Sequence, residues 1–282
     1  MPASQPVRSI KSAEIFILFS ICNKYIFAGT VLKLPESLAL GGRGSYNECG
    51  MEDYYAERLA AEKLRRCYEI APPRIRQYLR AELDFALEFF HAGDSILDLG
   101  CGYGRTLPEL AARAGSVTAI DNAPASIALA RKTVENFANV EVREMDAGAL
   151  QFADDTFSVV LCLQNGISAF HRDPATLLRE ALRVCRPKGT ALFSTYTEKF
   201  WPQRLVWFEL QAEAGLLGEI DWQRTGNGFI ACKDGFTATT FTPDQFHSLA
   251  SGLAADLTLN EVDGSSLFCI LRKSNPAVTS RA

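Results

Sequence analysis

Between residues 95 and 196, five short apolar runs alternate with stretches of helical periodicity, and this alternation constrains the fold more than any other feature. The runs are SILDL (95–99), SVTAID (116–121), VEVREMD (140–146), FSVVLCL (157–163) and TALFSTY (190–196). Between them, Leu107, Leu110, Ala111 and Ala114, then Ile127, Ala130, Val134 and Phe137, then Leu177, Leu178, Ala181, Leu182 and Cys185 recur at helical spacing. A strand, a helix and a further strand make a crossover, so neighbouring strands run parallel and both faces of the sheet are covered. Strands buried on both faces should be almost continuously apolar, as most of these are. The expected class is α/β with a Rossmann-like, doubly wound sheet. RPKG (186–189) is expected as the turn into the fifth strand.

The flanks read differently. From Met51 to Phe90 the pattern is helical, with Ala60, Leu64, Cys67 and Tyr68 on one face. APPR (71–74) breaks it, because proline cannot continue a helix and pushes its predecessor out of the α region; a second helix is expected from Arg74. After the fifth strand, residues 197–242 hold Phe200, Trp201, Trp207, Phe208 and Trp222 and then GFIACKDGFTATTF, which reads as a β-hairpin turning at Asp234-Gly235. A helix should start at Pro243 with Thr242 as its cap. LTLNEV and SLFCILRK then supply two strands joined at Asp263-Gly264. The organisation expected is an appendage at 1–50, a domain at 51–274 and a tail at 275–282. Within the domain lie N-terminal helices (51–92), a cofactor-binding core (95–196), a β-rich insertion on the substrate side (197–242) and a closing helix and strands (243–274).

AEIFILFSICNKYIFAGTVL (13–32) is broken by Glu14, Asn23 and Lys24 and is too short an apolar run to span a bilayer. Arg8 and Lys11 loosely imitate a signal peptide without a convincing cleavage site, and Met51 is a plausible start. The eight cysteines include no CxxC spacing and only three histidines accompany them, so no metal site is expected. Free thiols within apolar runs, such as Cys162 and Cys269, suit the cytoplasm. A net charge of −4 gives no reason to expect nucleic acid. The basic residues Lys63, Arg65, Arg66, Arg74, Arg76 and Arg80 are offset by Glu62, Glu69, Glu82 and Asp84, as on a solvated helix face.

The chemistry concentrates at LDLGCGYGRTLPEL (97–110). Gly100, Gly102 and Gly104 leave no Cβ between backbone and ligand, and the following helix points free N–H groups at the same place. The spacing is GxGxG; Arg105 stands where a dinucleotide motif has its third glycine, and no GK[ST] follows as in a P-loop. Asp98, just before the first glycine, would compete with a pyrophosphate but suits an ammonium group. Asp121 ends the second strand where both hydroxyls of a ribose can reach it, and Asp146 ends the third where an adenine amine can. Strand-end solvation would explain either acid alone; two beside a glycine loop point to a ligand. Together they describe S-adenosylmethionine better than NAD.

SILDLGCGYGR, VTAIDNAP, REMDAGALQFADDTFSVVLCL and EALRVCRPKGTALFSTY resemble, in order, the successive motifs of class I S-adenosylmethionine-dependent methyltransferases. The resemblance covers residues 95 to about 196. It implies a seven-stranded sheet whose last strand is antiparallel, and S-adenosyl-L-methionine as cofactor. Carried over, it puts Asp98, Gly100, Cys101, Gly102 and Gly104 around the methionine end, Asp121 on the ribose with Asn122 beside the adenosine, Asp146 and Ala147 at the adenine, and Leu163, Gln164 and Asn165 along the site.

Methyl transfer from a sulfonium is an in-line displacement governed by alignment, and a base is needed only where the acceptor must lose a proton. No catalytic residue is therefore demanded; the candidates are His171, after the fourth strand, and Tyr54 and Tyr55 on the first helix. For all three, ordinary packing or exposure is the simpler explanation. LQNGI after the fourth strand lacks the [DNS]PP[YF] pattern of the resembling adenine- and glutamine-modifying enzymes. The aromatic insertion and N-terminal helices would close over the methyl group, and such a lid suits a small, partly apolar acceptor. The expected partner is thus a small molecule, with neither nucleic acid nor membrane. The alternatives are an NAD-dependent oxidoreductase, a non-catalytic S-adenosylmethionine-binding protein and an aminopropyl transferase.

Overall fold

The computed structural model describes residues 54–275. The expected appendage at 1–50, the apolar stretch at 13–32, a start at Met51 and most of the tail lie outside the described residues. Three helices come first: α1 (Tyr54–Glu57), α2 (Ala61–Glu69) and α3 (Pro73–Leu87). Pro72 holds the extended cap conformation and Pro73 takes the first helical position, where its missing N–H costs nothing. No side chain of its own caps α2; the Ala61 N–H donates instead to Ser126 Oγ at 3.0 Å, tying the helix to the α/β core.

The core runs β1 (Ser95–Leu99), α4 (Leu107–Arg113), β2 (Ser116–Asp121), α5 (Pro124–Thr133), β3 (Val140–Glu144), β4 (Phe157–Cys162), α6 (Gly166–Ala169), α7 (Pro174–Val184) and β5 (Cys185–Tyr196). An insertion carries α8 (Trp201–Glu213), β6 (Ile230–Ala231) and β7 (Thr237–Ala238). The chain closes with α9 (Pro243–Ala250), β8 (Ala255–Val262) and β9 (Ser266–Lys273). The seven-stranded sheet has the order β3-β2-β1-β4-β5-β9-β8. Pairing is parallel from β3 to β5, and β9 is antiparallel to both neighbours, as the family resemblance implies.

Strand alternation sorts the apolar residues onto two faces. Ile96, Val159, Leu161 and Leu192 pack with Leu83, Ala86, Leu107, Leu110, Ile127 and Ala130 from α3, α4 and α5. Leu97, Leu99, Val160, Cys162 and Phe193 pack with Leu177, Leu178 and Ala181 from α7 on the other face. The strand order reverses between β1 and β4, which opens a crevice at their carboxyl ends. Thr242 caps α9 in a reciprocal capping box with Gln245.

Two expectations need correction. The insertion is not β-rich: α8 spans 13 residues, whereas β6 and β7 have two each around the expected Asp234-Gly235 turn. The cause is packing, because Arg204, Leu205, Trp207, Phe208 and Gln211 lie on one buried helix face. RPKG is not a turn before the strand but part of β5. Phe157 pairs with Cys185 while Val159 pairs with Thr190, so a bulge with Lys188 at φ 64° absorbs the extra residues.

Candidate functional site

β1 ends at Leu99, and the chain turns beneath β2: the Gly100 and Cys101 N–H groups both donate to Ile120 O at 2.9 Å. Gly100, Gly102 and Gly104 have φ of +76°, +53° and +85°. A Cβ on Gly100 would meet the Phe170 ring at 2.8 Å, and one on Gly102 would meet Leu64 Cδ2 at 2.9 Å. Asp121 fastens the loop, accepting the Gly102 N–H on Oδ2 and the Ala123 N–H on Oδ1, both at 2.9 Å.

Asp98 is 4% exposed, and its Oδ2 has no hydrogen-bond partner. Burial pushes its carboxyl up to about 7, helped by the Asp121 charge and opposed by Arg105 and the Thr106 hydroxyl. Arg105 shares the cleft; its Nη2 is buried and unpartnered, and its guanidinium stacks 5.1 Å from the Tyr68 ring centroid. A buried carboxylate oxygen and a buried guanidinium nitrogen, each without a partner in one cleft, match a ligand bearing an ammonium and a carboxylate.

The cleft holds a cavity of about 150 Å³ and is open to solvent. Opposite the glycine loop, α2 contributes Leu64, Cys67 and Tyr68, and the insertion contributes Trp207, Phe208, Gln211 and Phe236. The indole N–H of Trp207 donates to Cys67 O at 3.0 Å and locks these two walls together. Gln164 is held from two sides: the Tyr68 hydroxyl donates to its Oε1 at 2.5 Å, and its own N–H donates to Glu82 Oε1 at 3.3 Å. Both Gln164 and Asn165 have left-handed backbones, at φ 54° and 60°, which these contacts stabilise.

Residues 96–189 match the methyltransferase domain family. Over 106 residues the chain is 37% identical to the ubiquinone biosynthesis O-methyltransferase of Pseudomonas fluorescens (strain Pf0-1), covering 37% of this chain and 45% of that protein. The enzyme of the same name from Pseudomonas entomophila is 36% identical over an equal span. The chain thus spans about half the length of the curated relatives it matches. Residues 96–189 are thus similar to a methyltransferase domain. Solved structures agree on the fold. An S-adenosylmethionine-dependent methyltransferase from Methanosarcina mazei superposes with a TM-score of 0.52 at 20% identity, covering 68% of this chain and 98% of that one. A protein from Pyrococcus horikoshii OT3 superposes with a TM-score of 0.56 at 19% identity, covering 80% and 100%.

S-adenosylmethionine, the cofactor that the sequence resemblance implies, carries at its methionine end the ammonium and carboxylate that Asp98 and Arg105 would fit. Of the expected site residues, Asp98, Gly100, Cys101, Gly102, Asp121, Asn122, Leu163 and Gln164 line the cleft, as does Tyr55. Gly104 does not: it packs against Ala130, whose Cα would lie 3.1 Å from an added Cβ. Nor does Asp146, whose Oδ2 pairs with Arg172 at 2.7 Å while Oδ1 accepts the Gly148 N–H. Ala147 is buried in the core, and Asn165 is spent bridging Thr195 and the Thr239 carbonyl. Tyr54 donates to Asp234 inside the insertion, and His171, at φ 49°, stands outside the lining.

Arg105, Thr106, Tyr68, Phe170 and Tyr196 escaped the sequence reading. Arg105 was visible as the residue replacing a third glycine, and Tyr68 as one of a helical apolar face. Neither position says what the side chain meets. Among the described residues no cluster of three or more His, Cys, Asp or Glu is arranged to hold a metal, and no helix is long and apolar enough to cross a membrane.

Proposed function

We propose that this protein transfers the methyl group of S-adenosylmethionine to an oxygen of a small, partly apolar acceptor. The observation that carries the reading is the pair of unpartnered buried groups, Asp98 Oδ2 and Arg105 Nη2, in one glycine-floored cleft. Bound S-adenosylmethionine supplies a methyl group on a positively charged sulfur. Asp98 accepts hydrogen bonds from the ammonium, Arg105 donates to the carboxylate, and Gly100 and Gly102 let the backbone approach. Asp121 and Asn122 receive the ribose side. Tyr55, Tyr68, Trp207, Phe208 and Phe236 exclude water and align the acceptor, and alignment of this kind supplies about 7–11 kcal/mol. Oxygen as the methylated atom is supported by the O-methyltransferase names of the relatives, and a small acceptor by the aromatic walls.

Calorimetry with S-adenosylhomocysteine and NAD side by side tests the cofactor. Micromolar binding of the homocysteine product and none of NAD is expected; the reverse overturns the reading. Asp121→Ala should weaken S-adenosylhomocysteine binding by about 1–3 kcal/mol, because a ribose partner is lost and two loop amides are released. Unchanged affinity removes Asp121 from the ribose. Labelled methyl transfer into a metabolite extract then identifies the acceptor.

A further inference from the structure

We infer that the acceptor is an acidic O–H compound bound as its oxygen anion, with the buried guanidinium of Arg204 behind the aromatic wall balancing its charge. The inference rests on the methyl-transfer reading above. Two observations meet in it: the cleft offers the acceptor no base, and its wall holds a cation without a counter-ion.

Among the described residues that line the cleft there is no His or Lys, and the carboxylates are Asp98 and Asp121. Asp98 faces the ammonium in the reading above, and Asp121 accepts the Gly102 and Ala123 N–H groups. Burial pushes every phenol and thiol of the lining up, so Tyr55, Tyr68, Tyr103, Tyr196, Cys67 and Cys101 all keep their protons near neutrality. An aliphatic alcohol also keeps its proton there and would find no group to take it. A phenol, enol or carboxylic acid needs no base, because it can enter already ionised.

Arg204 stands on the buried face of α8 with no exposed surface. Its Nη1 donates to Gly228 O at 2.6 Å and its Nη2 to Ala238 O at 3.3 Å, while Nε has no partner. The guanidinium lies over three rings, with centroids 4.7 Å away for Tyr196, 5.5 Å for Phe208 and 5.7 Å for Trp201. A guanidinium cannot shed its proton, and among the described residues no carboxylate pairs with it. The titratable groups that face it are phenols, Tyr196 on β5, Tyr55 on α1 and Tyr78 on α3. Carbonyl dipoles and ring faces offset only part of the cost of burying such a charge. Tyr196 and Phe208 also line the cleft, so an anion seated against them lies about one ring from Arg204. Over that separation, at an effective dielectric of about 20, the attraction favours an anion over a neutral isostere on the order of tenfold.

The step balances without a proton. The acceptor oxygen bonds to the methyl carbon as the carbon–sulfur bond breaks and its electron pair goes to sulfur. The negative charge of the acceptor cancels the positive charge of the sulfonium. Arg204 touches neither reacting atom; it is a positioning residue that acts through the Tyr196 and Phe208 walls.

The test compares 4-nitrophenol with 4-nitroaniline, a neutral compound of the same shape, on the full chain saturated with S-adenosylhomocysteine. In mildly alkaline buffer the phenol is the anion, and its visible absorption band reports whether it stays so when bound. The wild type should bind the phenolate on the order of tenfold more tightly than the aniline. Arg204→Met, which fills the same space without charge, should abolish that preference, and Arg204→Lys should retain it. Glu82 opposes Arg204 at Tyr196, so Glu82→Gln, which keeps an acceptor for the Gln164 N–H, should widen the preference and serves if Arg204→Met does not fold. Equal binding of the two probes by the wild type, an undiminished preference in Arg204→Met, a narrowed one in Glu82→Gln, or no binding of the phenolate overturns the inference. Failure of S-adenosylhomocysteine itself to bind would instead sink the methyl-transfer reading.

Discussion

Replacing Asp98 with alanine is expected to weaken S-adenosylhomocysteine binding by about 2–5 kcal/mol, the largest loss of any single substitution in the cleft. Three observations set the size. The carboxylate is almost fully buried, one oxygen has no other partner, and an ammonium placed there would have no water to replace it. The same burial makes the effect pH-dependent. Without ligand the Asp98 carboxyl titrates at about 7, so near neutrality about half of the molecules must lose a proton before the ammonium can pair. Affinity should therefore fall as the pH drops through 7, with proton release on binding below it, and Asp98→Asn should flatten that profile. Stability of the ligand-free protein moves the other way. Asp98 and Glu82 both titrate higher folded than unfolded, so the folded state holds the extra protons between about pH 4 and 7. Stability is then expected to decline as the pH rises through that window, and S-adenosylhomocysteine to restore it. Calorimetry and thermal unfolding across the range read both trends; a flat binding profile for the wild type would contradict the assignment.

Gly104→Val is expected to destabilise the fold by about 2–5 kcal/mol, from a left-handed backbone that a branched residue resists and from overpacking. At φ +85° an added Cβ lies 3.1 Å from Ala130 Cα, 3.2 Å from Ala130 Cβ and 3.3 Å from Leu107 Cδ1. The first two atoms belong to the body of α5, and moving them means moving a helix against the sheet. Gly100 is a different case, because the atoms nearest its added Cβ are the ring carbons of Phe170, which can swing aside. Urea unfolding measures the loss, and a milder Gly104→Ala protein that still folds should bind S-adenosylhomocysteine normally, since Gly104 lies outside the lining. Weakened binding by folded Gly104→Ala would return this glycine to the cofactor site.

These two residues also mark what a linear reading reaches. Asp98 and Gly104 sit six positions apart in one motif, and both were expected at the cofactor; the structure puts one in the cleft and the other under α5. Asp121 and Asp146 looked equivalent as strand-end acids. One fastens the glycine loop, while the other is occupied by Arg172, a residue 26 positions away. The insertion misled for a related reason: its aromatic residues stood out, but the helical face they belong to exists only against Leu59 and Cys67.

Strand periodicity, proline breaks and glycine spacing are local properties, written in consecutive residues, and from them the sequence alone determined the parallel core and the loop at its switch point. The tertiary structure alone decided which groups line the cleft. Tyr68 reaches Gln164 across 96 positions, and Gln164 reaches Glu82 across 82. Whether a buried carboxylate or guanidinium is left without a partner depends on everything packed around it, and no spacing along the chain encodes that.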